Sequence, residues 1–257
     1  MSVAGEVSLD PAGRLELARG LLRRFEDRTG GAPATEDARA LPVAAPLAGL
    51  LPAGGLRRGS TVAVGPGPGG TSLLFALLAE ATAQGAWAAV VGRPDLGLAA
   101  AAEAGVRLDR LALVPRPGAD LLAVTVALLD GMDVVAVAPD AGRGRRPGPS
   151  RSEPLLRPAD RTRLAARARQ RGAVLVALGS WPGADLELGC AGARWHGLGQ
   201  GHGRLASRRV GVRLRARVLG SGRETPLLLP GRGGCVAAAR PRPAVAGAEP
   251  AAVRVAG

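Results

Sequence analysis

The stretch GPGPGGTS, residues 65–72, has the glycine spacing of a phosphate-binding loop, G-x-x-x-x-G-K-[ST], with Thr71 standing where the lysine belongs. Such a loop cradles phosphates with backbone N–H groups at a helix start and adds one full positive charge. Gly65 opens the spacing, and Gly69, Gly70, Thr71 and Ser72 still offer N–H groups, while Pro66 and Pro68 each remove one. Ser72 keeps the hydroxyl that would meet Mg²⁺. Thr71 brings a hydroxyl but no charge, and a charge-assisted hydrogen bond contributes about 1.5–3 kcal/mol.

A second group of residues suits polyanions. Between Leu188 and Arg223 there is no acid, but there are Arg194, Arg204, Arg208, Arg209, Arg213, Arg215 and Arg217, with Trp195, His196 and His202 in the glycine-rich RWHGLGQGHGR. Arginine forks suit phosphates, an indole face can stack a base, and glycine lets a strand approach closely. In RRVGVRLRARV, Val210, Val212, Leu214, Ala216 and Val218 alternate with Arg209, Gly211, Arg213, Arg215 and Arg217, so the stretch reads as a strand with one apolar and one basic face. Nucleic acid or an acidic protein fits that face. The plainer reading is a hairpin with a solvated basic face and Trp195 packed in the core. Cys190, His196 and His202 lie in the spacing C-x₅-H-x₅-H, which matches no usual zinc arrangement, and no fourth ligand is evident. No nucleophile elbow or paired-carboxylate pattern supports hydrolase chemistry, so no catalytic residue and no metal ligand is assigned.

The elements that must position these residues follow from apolar periodicity. Residues 60–64, 86–91, 111–115, 133–138 and 173–178 are short apolar runs, and helical stretches alternate with them at 71–85, 96–105, 119–131 and 158–172. Continuous apolar strands alternating with helices predict a mainly parallel sheet covered on both faces, an α/β fold. Beyond residue 183, ADLELGC, ARWHGLG and the arginine-rich run predict antiparallel or edge strands on the C-terminal side. Residues 11–29 read as an amphipathic helix, either a surface helix of the core or an arm for a partner, followed by a Gly/Pro/Ala linker. Three segments result: 1–47 as helix and linker, 48–219 as core, and 220–257 as a disordered Pro/Gly/Arg-rich tail.

Composition limits the partners. The 257 residues carry 34 basic side chains, all of them arginine, against 21 acids, a net charge of +13. Codon bias explains arginine in place of lysine but not the excess, which favours a polyanion or an acidic partner. No apolar run is long enough to span a bilayer, and the first residues lack a secretion-signal layout, so a cytoplasmic location is expected, with nucleoid association open and no membrane partner.

The order of segments resembles a known family. LPAGGLRRGSTVAVGPGPGGTSLLFALLAEATAQGAWAAVV is similar to the start of the RecA-type ATPase core, with its GGL..G....GP...GKT layout. MDVVAVAPDAG falls at that family's Walker B strand, and GAVLVALGSWPGA at the strand leading to its second DNA-facing loop; the likeness covers residues 48–218. The resemblance implies a RecA-like P-loop core and puts three catalytic positions on this chain. The lysine is replaced by Thr71, the Walker B aspartate by Ala138 with Asp140 two residues on, and the catalytic glutamate by Arg93 with Asp95 displaced. Phosphoryl transfer depends on those groups, so the expectation is a fold kept without ATP hydrolysis, ATP and Mg²⁺ being weak candidates as ligands.

Together with PDLGLAAAAEAGV, the GRLASRRV strand and the Arg/Pro-rich tail, this profile resembles the ImuA-type accessory proteins of actinobacterial mutagenic repair. That resemblance implies a recruiting role in SOS-induced translesion synthesis. The implied partners are a Y-family-like adaptor and an error-prone polymerase, with direct DNA contact and self-association open. Two other readings stand beside it. One is an active DNA-dependent ATPase of this fold, in which an arginine from elsewhere supplies the missing charge. The other is a scaffold without DNA affinity.

Overall fold

The computed structural model describes residues 40–139, 156–199, 202–217 and 222–239. The amphipathic stretch 11–29, most of the Arg/Gly/Pro loop 142–158 and the chain end from 240 lie outside the described residues.

The sheet is mixed and nine-stranded, in the order β11-β10-β9-β8-β3-β7-β6-β4-β5. Its parallel half consists of β3 (Thr61–Val64), β4 (Ala88–Val91), β5 (Leu111–Val114), β6 (Val134–Val137) and β7 (Val174–Leu178), with β8 (Leu186–Gly199) beside β3. Helices α2 (Gly70–Ala83), α3 (Leu98–Glu103), α4 (Leu121–Leu129) and α5 (Pro158–Arg171) connect these strands. They fall where apolar spacing predicts them. β9 (His202–Ala216), β10 (Arg223–Leu228) and β11 (Ala237–Ala238) complete the sheet as antiparallel strands.

Alternation along each strand serves both faces. Val62 and Val64, Val90, Val134 and Val176 point to one core with the buried side of α2 and with Ala101 of α3. Ala63, Val91, Val135, Val137, Leu175 and Ala177 point to the other, with Val124 and Leu128 of α4 and Leu164 and Ala168 of α5. A strand buried on both faces carries no polar position, which is why these strands read as unbroken apolar runs. Gly172 ends α5 in a left-handed conformation, φ 67°, and Asp160 in its first turn accepts the N–H of Arg157 at 2.9 Å.

Two boundaries differ from expectation. The linker expected up to residue 47 already belongs to the folded unit from Ala40. β1 (Ala40–Pro42) pairs antiparallel with β2 (Gly55–Arg57), helix α1 (Ala45–Ala48) follows, and Leu41, Val43 and Leu47 are buried in the first core. The tail expected to lack structure from 220 instead supplies β10 and β11, with Leu227 and Leu229 buried. Leu227 and Leu229 keep a period of two, but Pro226 and Pro230 interrupt the stretch and hide it. β8 also joins both halves: it runs parallel to β3 from Leu186 to Leu188 and antiparallel to β9 along its length. Among the described residues, no helix is long and apolar enough to cross a membrane.

Candidate functional site

The glycine loop leaves the carboxyl end of β3, near the middle of the sheet, and enters α2. In parallel sheets this end, where neighbouring connections depart in opposite directions, is the usual position for ligands. Gly65 donates its N–H to Leu188 O at 2.7 Å, and Leu73 donates to Gly69 O at 2.8 Å. Gly69 is left-handed, φ 114°, and a Cβ there would lie 3.0 Å from Cys190 Sγ and 3.5 Å from an Arg208 nitrogen. Only glycine fits. The first-turn N–H groups of α2 at Thr71 and Ser72 have no carbonyl one turn earlier, as at any helix start.

The long hairpin β8–β9 folds over this loop. Arg208 is fixed there by its main chain and its side chain together. Its N–H donates to Pro230 O at 2.8 Å, and its carbonyl accepts from Leu229 N–H at 2.7 Å. Its Nε donates to Leu229 O at 2.7 Å and its Nη2 to Ser72 Oγ at 3.0 Å. The guanidinium also lies 5.0 Å from the centroid of Trp195, its register partner across the hairpin. Burial pushes the Cys190 thiol above its ordinary range, against the pull of Arg208, and burial lowers the Arg208 guanidinium. Among the described residues no carboxylate pairs with Arg208.

A second arginine reaches the same turn. Arg93, just beyond β4, donates from Nη2 to Thr71 Oγ1 at 3.4 Å, while its Nε pairs with Asp95 at 3.0 Å. The residue at the glutamate position thus touches the residue at the lysine position. Ala138, at the expected aspartate position, is buried at the end of β6 and donates its N–H to Val91 O at 3.0 Å. No carboxylate from these three positions faces Ser72, and the two hydroxyls of the loop are held by guanidinium groups of the chain itself.

The contact residues expected as one group are divided between two faces. Residues opposite each other in an antiparallel pair share a face, and alternate residues of a strand share a face. Arg208 pairs with Trp195 and lies on the side of the buried Val210, Val212 and Leu214. With Thr71, Ser72, Arg204 and the 230–234 loop, Trp195 lines a cavity of about 830 Å³ beside α2 and α3. Trp195 keeps 44% of its surface exposed, so it is not a core residue. Arg209 pairs with Arg194 and lies on the opposite side with Arg213, Arg215 and Arg217. There Arg213 forms an ion pair with Glu224 of β10, and Arg215 stands opposite Glu187 in the register. A smaller cleft of about 260 Å³ separates Arg213 and Arg215 from Gly65, Pro66 and Trp181.

Arg208, expected among the outward contact residues, faces inward instead. A period of two counted back from Val210 puts Arg208 on the apolar side, which marks it as the arginine needing an internal partner. Motif spacing places Arg93 after β4, but its contact with Thr71 follows only from β4 ending near the glycine loop. His196 is exposed on the outer hairpin, away from Cys190 at its buried base.

The matches to known proteins fall mainly on the parallel half of the sheet. Residues 49–183 match the model of the MT3502 N-terminal domain, a segment that ends just before β8. The uncharacterized protein Rv3395c of Mycobacterium tuberculosis is 42% identical over 126 residues, which is 49% of this chain and 56% of that protein. The chain therefore spans little more than half the length of this relative. From glycine loop to the strand before the hairpin, it belongs to the MT3502 N-terminal domain family.

Proposed function

We propose that the chain is a RecA-like accessory protein of DNA repair that does not hydrolyse ATP. Its role is in SOS-induced translesion synthesis in the cytoplasm, close to the nucleoid. It acts through contacts with a polymerase assembly, a Y-family-like adaptor and an error-prone polymerase, and with DNA. One observation carries the non-hydrolysing part: Arg93 and Arg208 hold the Thr71 and Ser72 hydroxyls where a working loop would hold phosphate and Mg²⁺. Thr71, Ala138 and Arg93 stand where the resemblance expects the lysine charge, the carboxylate for the metal and the base for water, on which phosphoryl transfer rests; Asp140 lies outside the described residues. A mainly parallel sheet with the glycine loop at its centre supports the RecA-like reading, and the net charge of +13 supports a polyanionic partner.

Arg208 also favours the competing reading of an active ATPase, because it places a cation 3.0 Å from Ser72 Oγ. Two measurements decide. Titration with Mg-ATP and a phosphate-release assay are expected to give no turnover in the wild type, with or without DNA. Turnover abolished by Ser72→Ala would overturn the proposal. In cells, loss of the gene is expected to lower damage-induced mutation frequency, and a Ser72→Ala copy to restore it fully. An unchanged mutation frequency on gene loss would remove the repair role.

A further inference from the structure

The cavity of about 830 Å³ between α2, α3, the β8–β9 hairpin and the 230–234 loop falls in the range of about 300–1,000 Å³ usual for ligand sites. Its walls are mainly apolar, made by Phe75, Ala100, Ala104, Trp195, Leu205 and Pro230. Trp195 and Leu205 leave 44% and 47% of their surface exposed. Single exposed apolar residues carry no message, but two large ones lining one cavity mark a contact surface. Trp195 is also held ready for contact. Its ring lies 5.0 Å from the Arg208 guanidinium, which Leu229 O and Ser72 Oγ fix in turn. A fixed aromatic with an open surface is the usual anchor of a protein interface.

Charge selects the occupant. The lining holds Arg204 and Arg232 against a single acid, Glu103. Both arginines are exposed, and neither has a carboxylate partner among the described residues. The hydroxyls of Thr71 and Ser72 are already engaged by Arg93 and Arg208. Apolar contact is therefore left to the walls and ion pairing to Arg204 and Arg232. A second copy of the chain would bring a further net charge of +13 and is repelled.

We infer that this cavity docks a short acidic segment of another protein. The segment inserts one bulky apolar side chain against Trp195 and Leu205 and sets its carboxylates on Arg204 and Arg232. The inference holds whichever process the chain serves, because it names the chemistry of the segment and not the protein that carries it.

The test selects a displayed library of random short peptides on the immobilised full-length chain. Enriched peptides are expected to share one Trp, Phe or Leu flanked by Asp or Glu. With the best peptide made synthetically and labelled, Trp195→Ala should weaken binding by about tenfold or more. Leu205→Glu, at a half-exposed position that tolerates a charge, should weaken it as much and keep the melting temperature. Arg204→Ala/Arg232→Ala should cost about fivefold at low salt and less at high salt, whereas Glu103→Gln should tighten binding by up to about fivefold. The charge-matched control Arg163→Ala/Arg169→Ala, on the exposed side of α5, should change nothing.

A basic or uncharged consensus overturns the inference. So does peptide binding that Trp195→Ala and Leu205→Glu leave intact. If no peptide is enriched while the wild type self-associates and Leu205→Glu does not, the occupant is a second copy and the inference falls. If none is enriched while ATP or an oligonucleotide quenches tryptophan fluorescence in the wild type but not in Trp195→Ala, the cavity belongs to a nucleotide and the inference falls likewise.

Discussion

Arg208 and Arg209 are neighbours in the chain, share one strand, and meet opposite conditions. Arg208 faces α2 and is held by Leu229 O, Ser72 Oγ and the face of Trp195. Arg209 faces away, opposite Arg194, and has no carboxylate partner among the described residues. The inward face of β9 fixes its arginine within the fold, whereas on the outward face Arg213 alone has a carboxylate partner among the described residues. Identical residue types therefore meet different surroundings: Arg208 builds those of the loop, and Arg209 stays on the outer surface of the hairpin. Strand parity, rather than charge, assigns the role.

The largest effects should come from the inward face. Leu214 is 2% exposed in the core beside α2, and Leu214→Ala is expected to cost about 2–5 kcal/mol in chemical denaturation. Arg208→Ala should cost about 1.5–3 kcal/mol, because it strips the Leu229 carbonyl of a charged donor in a partly buried setting. Arg208→Lys should recover less than half of that, since one ammonium cannot reach Leu229 O and Ser72 Oγ in the geometry of a fork. Full recovery by lysine would mean that Arg208 acts by charge alone, and the contrast between the faces would weaken.

Gly69→Ala comes next, at about 1–2 kcal/mol for a left-handed alanine, with added crowding against Cys190. Cys190 also gives the inward face a pH dependence. Its folded-state value lies above the ordinary 9.0, chiefly through burial, so the folded state binds the proton more tightly than the unfolded chain does. The stability linked to it is complete below pH 9.0 and is lost as pH rises through the elevated value. Cys190→Ala is expected to flatten the alkaline limb of a stability–pH curve measured between pH 8 and about 10.5. An unchanged limb would place the thiol in solvent rather than under the hairpin.

The two halves of the sheet also differ in how far they could be read from sequence. In the parallel half, strands such as VVAV at 134–137 are buried on both faces and helices carry regular apolar spacing, so their order was legible. The antiparallel half mixes arginine, glycine and proline, and its strands are held by register more than by apolar content. β10 went unread because Pro226 interrupts its pattern and its pairing with β9 lies outside local sequence. At the site, Thr71, Arg93 and Ala138 could be placed by motif spacing. The contact of Arg208 with Ser72 could not, since the two are 136 residues apart and only the hairpin's path joins them.

The smallest expected effect is the sharpest test of parity. Arg209→Ala removes a side chain with no carboxylate partner from the outward face, and its stability should stay within about 0.5 kcal/mol of wild type. Relief of repulsion from Arg194 across the register can make the change slightly favourable, more so at low salt, where exposed charges are less screened. The double variant Arg208→Ala/Arg209→Ala should match the sum of the singles to within about 0.5 kcal/mol, because residues on opposite faces share no partner. A coupling well above that would mean the two guanidinium groups sense each other through the strand. A loss in Arg209→Ala as large as in Arg208→Ala would mean that the outward face, too, is already engaged within the fold.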